Sequence, residues 1–195
     1  CDVTDILVEG KNEVRVELEN RPESSRWYPG AGLFRKVRHI TIPRIHIPVW
    51  GTYVTTPYVS EESANVTVRT RVEGMEDGTP VTVRTVIRNA SGEVVAQRKD
   101  TRKLFGGEVE HQLTVKDPEL WSPETPVLYN ADTEIYAGAE VNTDWSGSRP
   151  VISVNEGGIM LDKVRTRFGI RSIEIRPEQG FFLNGKMSKI QGVCM

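Results

Sequence analysis

The sequence predicts an all-β protein built on an immunoglobulin-like β-sandwich, and three observations carry that reading. Apolar and polar residues alternate with period two in seven segments between residues 52 and 176. Turn residues recur about every eight to twelve positions, and no stretch of useful length repeats with a helical period.

Residues 4–12 form a turn, after which Val14, Val16 and Leu18 alternate with Arg15, Glu17 and Glu19 as in a half-buried strand. Residues 21–32 are a Pro/Gly/Ser-rich excursion holding Arg26, Trp27 and Tyr28, and 34–42 read as strand again. Regular spacing begins after Pro48. The strands are 52–59, then 64–72 with Val66, Val68, Thr70 and Val72 on one face, then 81–89 after Asp77-Gly78-Thr79-Pro80. They continue as 93–100 after Ser91-Gly92, 108–115 after Gly106-Gly107, 127–136 and 163–176. Between the fifth and sixth, Pro118, Pro123 and Pro126 remove three amide donors, so this segment crosses from one sheet to the other. Trp121 in its middle reads as a plug over the end of the core, with sugar stacking as the alternative. Pro177-Glu178-Gln179-Gly180 breaks the last strand, 181–183 resume it, and Asn184-Gly185 is the dipeptide of the tightest hairpin turns, because both residues tolerate positive φ. Residues 189–194 are a short β-branched run with no stop signal after it.

Composition narrows the function classes. With 25 Lys and Arg against 27 Asp and Glu, the net charge of −2 gives no electrostatic reason to expect nucleic acid or an anionic membrane as partner. A neutral partner such as a sugar stays open. No run approaches the roughly 18 apolar residues of a membrane span, and no signal sequence opens the chain. Because a leader can precede a fragment, periplasmic, secreted and cytoplasmic locations all stay open. Cys1 and Cys194 make no disulfide framework and read as free thiols; His39, His46 and His111 are scattered and make no zinc site. Neither a metal nor a cofactor is expected. Asn65-Val66-Thr67 and Asn89-Ala90-Ser91 match the N-glycosylation pattern, which often arises by chance. His111 shares a face with Val109, Leu113 and Val115 and reads as a satisfied histidine at the core edge. The many carboxylates alternate with basic residues on outward faces, as on solvated strands. No phosphate loop or nucleophile elbow occurs.

Three blocks carry a resemblance to a known family. They are SSRWYPGAGLFRKV at 24–37, DPELWSPETPVLY at 117–129, and FGIRSIEI at 168–175 followed by GFFLNGKMSKIQGVCM at 180–195. In this order and spacing they resemble glycoside hydrolase family 2, the β-galactosidase, β-mannosidase and β-glucuronidase family, and SRWYPGAG looks most like the β-galactosidase-type branch. The resemblance implies three parts: residues 1–46 as the C-terminal strands of a truncated jelly-roll sugar-binding domain, 47–176 as the immunoglobulin-like sandwich, and 177–195 as a lead-in hairpin and first strand of a catalytic (β/α)₈ barrel. It implies a parent that is a retaining β-glycosidase acting on terminal β-linked sugars, with both catalytic glutamates on barrel strands outside this chain. No catalytic residue is then expected within 1–195, and the chain reads as a non-catalytic scaffold. A β-mannosidase or β-glucuronidase parent is the alternative within the family; a free-standing sandwich module for adhesion or carbohydrate binding is the alternative outside it. The sequence beyond Met195 separates them.

Within this frame the 21–32 loop is the expected place of substrate contact. The Trp27 ring beside Arg26 and two serine hydroxyls suits a sugar; the other reading has Trp27 and Tyr28 covering the sandwich end while Arg26 pairs with a carboxylate. Some family members carry an acidic residue that helps form the active site where this chain has Ser25. The expected partner of the parent is a carbohydrate substrate, and a homo-oligomer stays open. Residues 137–158 depart from the resemblance as an extended hairpin arm with Trp145, either a finger toward the barrel or a neighbouring subunit, or a surface extension. Asn142, Asp144 and Ser146 have calcium-loop spacing, but too few carboxylates follow.

Overall fold

Alternation of β-branched with polar residues decides where the sheets form. In the computed structural model, residues 2–23, 32, 35–137, 141–144, 151–154, 158–190 and 192 are described. Strands β1 (Thr52–Val59), β2 (Ser63–Arg71) and β5 (Glu108–Lys116) form one antiparallel sheet in the order β1-β2-β5. Strands β3 (Pro80–Arg88), β4 (Val94–Lys103), β6 (Tyr129–Ala137) and β9 (Ile159–Phe168) form the second, ordered β4-β3-β6-β9. The hairpin arm expected near residues 137–158 pairs as β7 (Val141–Asp144) with β8 (Val151–Val154). Its Trp145 lies outside the described residues.

The protein is all-β, and the two sheets make the expected immunoglobulin-like sandwich. Strand β4 joins β3 rather than β5, so the sheets hold three and four strands. A buried tyrosine at the start of the sixth strand ties down the preceding corner: the Glu119 backbone N–H donates to Tyr129 Oη at 2.8 Å. Such a corner is a hallmark of these sandwiches.

The core is two apolar clusters separated by a polar waist. Ala64, Val66, Val68, Ile87, Leu113 and Ile170 belong to one cluster. Ile47, Val72, Val81, Val83, Val109 and Ile135 belong to the other. Between them four strands each place one polar side chain inward: Thr70 on β2, Thr85 on β3, His111 on β5 and Thr133 on β6, all buried. Thr85 Oγ1 and His111 Nδ1 lie 2.8 Å apart across the two sheets. His111 is therefore deeper than the core edge the sequence suggested. Its Nε2 has no hydrogen-bond partner, and Asp100 Oδ2 lies 3.5 Å from it. Burial holds its pKa below the ordinary histidine value, with the nearby Asp100 charge opposing and the Arg98 and Arg102 charges assisting.

The strand expected over 163–176 is two. It stops at Phe168, and β10 (Ile173–Arg176) belongs to a separate three-stranded sheet with β11 (Gly180–Leu183) and β12 (Lys186–Met187). The break has a local cause in Gly169: a Cβ there would lie 2.8 Å from both Cβ and Cγ of Trp121. The backbone passes so close to the indole that only glycine fits. Asn184-Gly185 makes the expected two-residue turn, with φ of 49° and 74° and with Leu183 paired to Lys186.

The chain folds as two compact units, residues 41–191 and residues 1–40 with 192–195. The smaller unit contains a short 3-10 turn at Thr4–Ile6, and Asp2 before it accepts from the Thr4 amide through Oδ1 at 2.9 Å. No ladder forms among its described residues, so of the runs read as strands at 14–18 and 34–42, residues 14–18 and 35–42 are not paired as strands. Val14, Val16, Leu18, Val37 and Ile40 are all exposed. An alternating sequence becomes a strand only where a neighbour takes its amides and covers its apolar face, and among the described residues neither is supplied.

Candidate functional site

The two residues expected to touch a sugar, Arg26 and Trp27, lie outside the described residues, as do Ser25, Tyr28, Cys1 and Cys194. Four other places carry the chemistry of the described chain.

The first is the joint around Trp121, where two sequence blocks far apart in the chain meet. The Trp121 amide donates to Ile170 O at 2.8 Å, and the Asn184 side-chain amide donates to Trp121 O at 3.0 Å. Asn184 also bonds Ser172 twice, accepting its amide through Oδ1 and donating its own amide to Ser172 O, both at 3.0 Å. The Arg171 guanidinium stands 4.9 Å from the indole centroid. The indole is thus a half-buried wedge between the sandwich and the small sheet, not a plug over the core, since it belongs to neither apolar cluster. Covered by Gly169 and Arg171, it offers no open platform for a sugar.

The second is a charge ladder on the outer face of the four-stranded sheet. Asp132 and Glu134 project from the central strand β6, and contrary to the solvated faces the sequence suggested, both are buried. Long basic side chains from both neighbouring strands lie over them. Arg165 Nε and Nη2 reach Asp132 at 2.6 and 2.8 Å, and Arg88 Nε reaches it at 3.3 Å. Lys163 Nζ reaches Glu134 at 2.8 Å, Arg84 reaches it at 3.5 Å, and Tyr136 Oη donates to it at 2.7 Å. The fork of Arg165 holds the Asp132 carboxyl below the usual range against the opposing effect of burial. Burial pushes Glu134 upward, but its bonds to Lys163 and Tyr136 and the charges of Lys163 and Arg84 together leave it lowered.

A general acid of a glycosidase must stay protonated near neutral pH. The two buried carboxyls are held ionised instead. Every described carboxyl with a clear displacement, Asp2, Glu110, Glu124, Asp132, Glu134 and Glu174, is displaced downward. In the other four, hydrogen bonds lead the effect, from a neighbouring side chain in Asp2, Glu110 and Glu174 and from its own backbone amide in Glu124. Asp132 and Glu134 therefore serve as counter-ions to the basic tier above them, and nothing in their surroundings prepares either as an acid.

The third place is His111, whose lowered pKa and burial between the sheets leave it neutral and out of reach of substrate. The fourth went unnoticed in the sequence. Residues 48–51 form a turn closed by the Gly51 amide donating to Pro48 O at 2.8 Å, and Trp50 within it has φ of 66°. Its side chain is exposed, at 93%. The turn opens on a groove of ≈ 910 Å³ that Tyr53, Leu128, Arg165 and Arg167 also line. Thr52 Oγ1, another lining residue, is buried without a hydrogen-bond partner. A large aromatic directly before glycine in a turn was the available signal. Among the described residues no group of three or more His, Cys, Asp or Glu is placed to hold a metal, and no helix is long and apolar enough to cross a membrane.

Comparison with known proteins bears on these places as a set. The profile of Glycosyl hydrolases family 2 matches residues 45–148. The chain is 34% identical over 186 residues to the β-galactosidase BoGH2A of Bacteroides ovatus, covering 93% of this chain and 20% of that protein. It is 31% identical over 194 residues to a putative β-glucuronidase of Formosa agariphila, covering 99% and 16%. A crystal structure of a glycosyl hydrolase family 2 member from Bacteroides cellulosilyticus superposes with a TM-score of 0.64 at 29% identity, covering 79% of this chain and 19% of that one. The chain spans about a fifth or less of the length of the relatives it matches.

Proposed function

The chain belongs to family 2 of the glycosyl hydrolases, and from that premise we propose that it is a non-catalytic scaffold segment of a retaining β-glycosidase. The parent is of β-galactosidase type and hydrolyses terminal β-linked sugars. Within it, residues 1–46 are the end of a jelly-roll sugar-binding domain, the sandwich runs from 47 through β9, and the small sheet β10-β11-β12 with the residues after it is the lead-in to the catalytic barrel, so the boundary expected after 176 moves ahead of Ile173. The observation that carries the scaffold role is the state of the carboxyls. Cleavage by a retaining enzyme needs two carboxyls about 5–5.5 Å apart, one of them held protonated, and the buried carboxyls here are locked ionised under basic side chains.

The joint supports the division into parts. Asn184 and Gly169 fix the small sheet to the Trp121 corner, while Ile173, Ile175 and Met187 of that sheet remain exposed. An apolar edge on a rigidly held sheet suits a larger neighbour packed against it. Arg26 and Trp27 contribute to sugar binding in this reading, the indole stacking on the ring and the guanidinium bonding its alcohols. A β-glucuronidase parent is the second reading, favoured by the likeness to the putative β-glucuronidase of Formosa agariphila. The test is to assay the purified chain on aryl β-galactoside, β-glucuronide and β-mannoside substrates. No turnover is expected on any; turnover that survives repurification, and is lost when a carboxylate of this chain is mutated, overturns the scaffold role.

A further inference from the structure

We propose that the groove between the Trp50 turn and strand β9 docks an acidic sugar unit, a uronate within a polysaccharide. Such binding asks nothing of the scaffold reading and holds whatever the parent hydrolyses. It rests on what the turn presents and on what faces it.

Trp50 combines two unfavourable features. A bulky residue at φ of 66° adopts a conformation that L side chains enter at a cost and that glycine enters freely. Its indole is left in water at 93% exposure, where a polar residue would serve a turn better. Strain and exposure at one aromatic mark a group kept for contact. Tyr53, exposed at 63%, adds a second aromatic to the same groove. Flat aromatic faces suit the C–H face of a pyranose, and tryptophan and tyrosine bring that area at low rotamer cost.

The opposite wall selects the charge. Arg165 and Arg167 of β9 line the groove, and Arg165 is already fixed by its two bonds to buried Asp132. Across the adjoining sheet face, Arg84, Arg88, Lys163 and Arg165 cover Asp132 and Glu134. The carboxylates lie underneath and the cations face solvent, so the outer tier is positive although the chain as a whole carries −2. A guanidinium fork matches a planar carboxylate in geometry as well as in charge. A neutral sugar would use the aromatics and leave Arg167 idle. A uronate uses both.

The test is affinity electrophoresis of the 195-residue chain in native gels cast with polygalacturonate, dextran sulfate or neutral dextran, with Trp50→Ala and Arg167→Ala as variants. Both positions lie on the groove, and neither is among the partners of the buried carboxylates, so the variants fold; their circular dichroism and melting are checked alongside. Polygalacturonate is expected to retard the wild-type chain and dextran to leave it unmoved, with each variant weakening retardation about tenfold, the loss that about 1.4 kcal/mol produces. Absence of retardation by polygalacturonate refutes the proposal. So does equal retardation by dextran, which would remove the role of the carboxylate. Retardation by dextran sulfate and polygalacturonate alike, unchanged in Trp50→Ala, also refutes it, because it would be ion exchange on the basic face alone.

Discussion

Replacing Gly169 by alanine tests the joint at its tightest point. The new methyl would meet Trp121 Cβ and Cγ at 2.8 Å and Cδ1 at 3.1 Å, distances that force the indole or the backbone to move. Overpacking of this kind costs about 1–3 kcal/mol. The displacement also disturbs the bond from the Trp121 amide to Ile170 O and the bond from Asn184 to Trp121 O, so the upper half of that range is expected. Removing the indole separately, as Trp121→Gly, loses on the order of 100 Å² of buried apolar surface, worth about 2–3 kcal/mol at about 25 cal/mol per Å². With the side chain gone the methyl has room. The double variant should therefore be less destabilised than the sum of the singles by about 1 kcal/mol or more, read in urea denaturation. A neutral Gly169→Ala, or a double variant additive within about 0.5 kcal/mol, would refute the claim that Gly169 is glycine on account of Trp121.

The remaining predictions concern charge and association. Asp132→Asn keeps the shape but turns an amide toward Arg165 and Arg88; because both arginines can relax into solvent, the expected loss is about 1–3 kcal/mol, smaller than for a fully enclosed pair, and a loss below about 0.5 kcal/mol in the same denaturation experiment would show the ladder to be ornamental. Stability should fall on acidification in two stages. His111 titrates lower in the fold than its ordinary value of 6.5, so below that pH the unfolded chain takes up a proton the native chain refuses, and stability drops as pH falls toward the folded-state value. Asp132 and Glu134, also lowered, keep their contribution above the ordinary carboxylate range and lose it as pH falls through their depressed values. His111→Gln should flatten the first stage alone, and an unchanged first stage would assign it to another group. The exposed apolar residues Val14, Val16, Leu18, Val37 and Ile40 predict self-association through residues 1–45, seen as an average mass above that of one chain in light scattering at high concentration; a strict monomer would refute it.

The sandwich was legible in the sequence because period-two alternation and turn chemistry are local. Val66, Val68 and Thr70, read as one face, are all buried, and Asn184-Gly185 turns as its backbone preferences require. What the sequence hid depends on partners. FGIRSIEI shifts phase between Ile170 and Ile173, but what holds the break there is the indole of Trp121, forty-eight positions before Gly169 in the chain. Asp132 and Glu134 alternate with Ala131, Thr133 and Ile135 like any solvated pair. Only the register of β6 with β3 and β9 reveals that Arg88, Arg165 and Lys163 close over them. The segments 14–18 and 34–42 carry strand patterns but no ladder, since pattern states a preference for a covered face and cannot supply the cover. Trp50 was passed over because an exposed aromatic in a turn has no periodicity to announce it.

The central claim is that the chain carries scaffold and no hydrolytic machinery. A retaining enzyme forms a covalent glycosyl-carboxylate during turnover, so intact-mass spectrometry after incubation with 2-deoxy-2-fluoro-β-galactosyl and 2-deoxy-2-fluoro-β-glucuronyl fluorides reads that capacity directly. The account predicts the mass of the unmodified chain with both reagents. A gain of one glycosyl unit, mapped by peptide sequencing to a single carboxylate within residues 1–195, would contradict it.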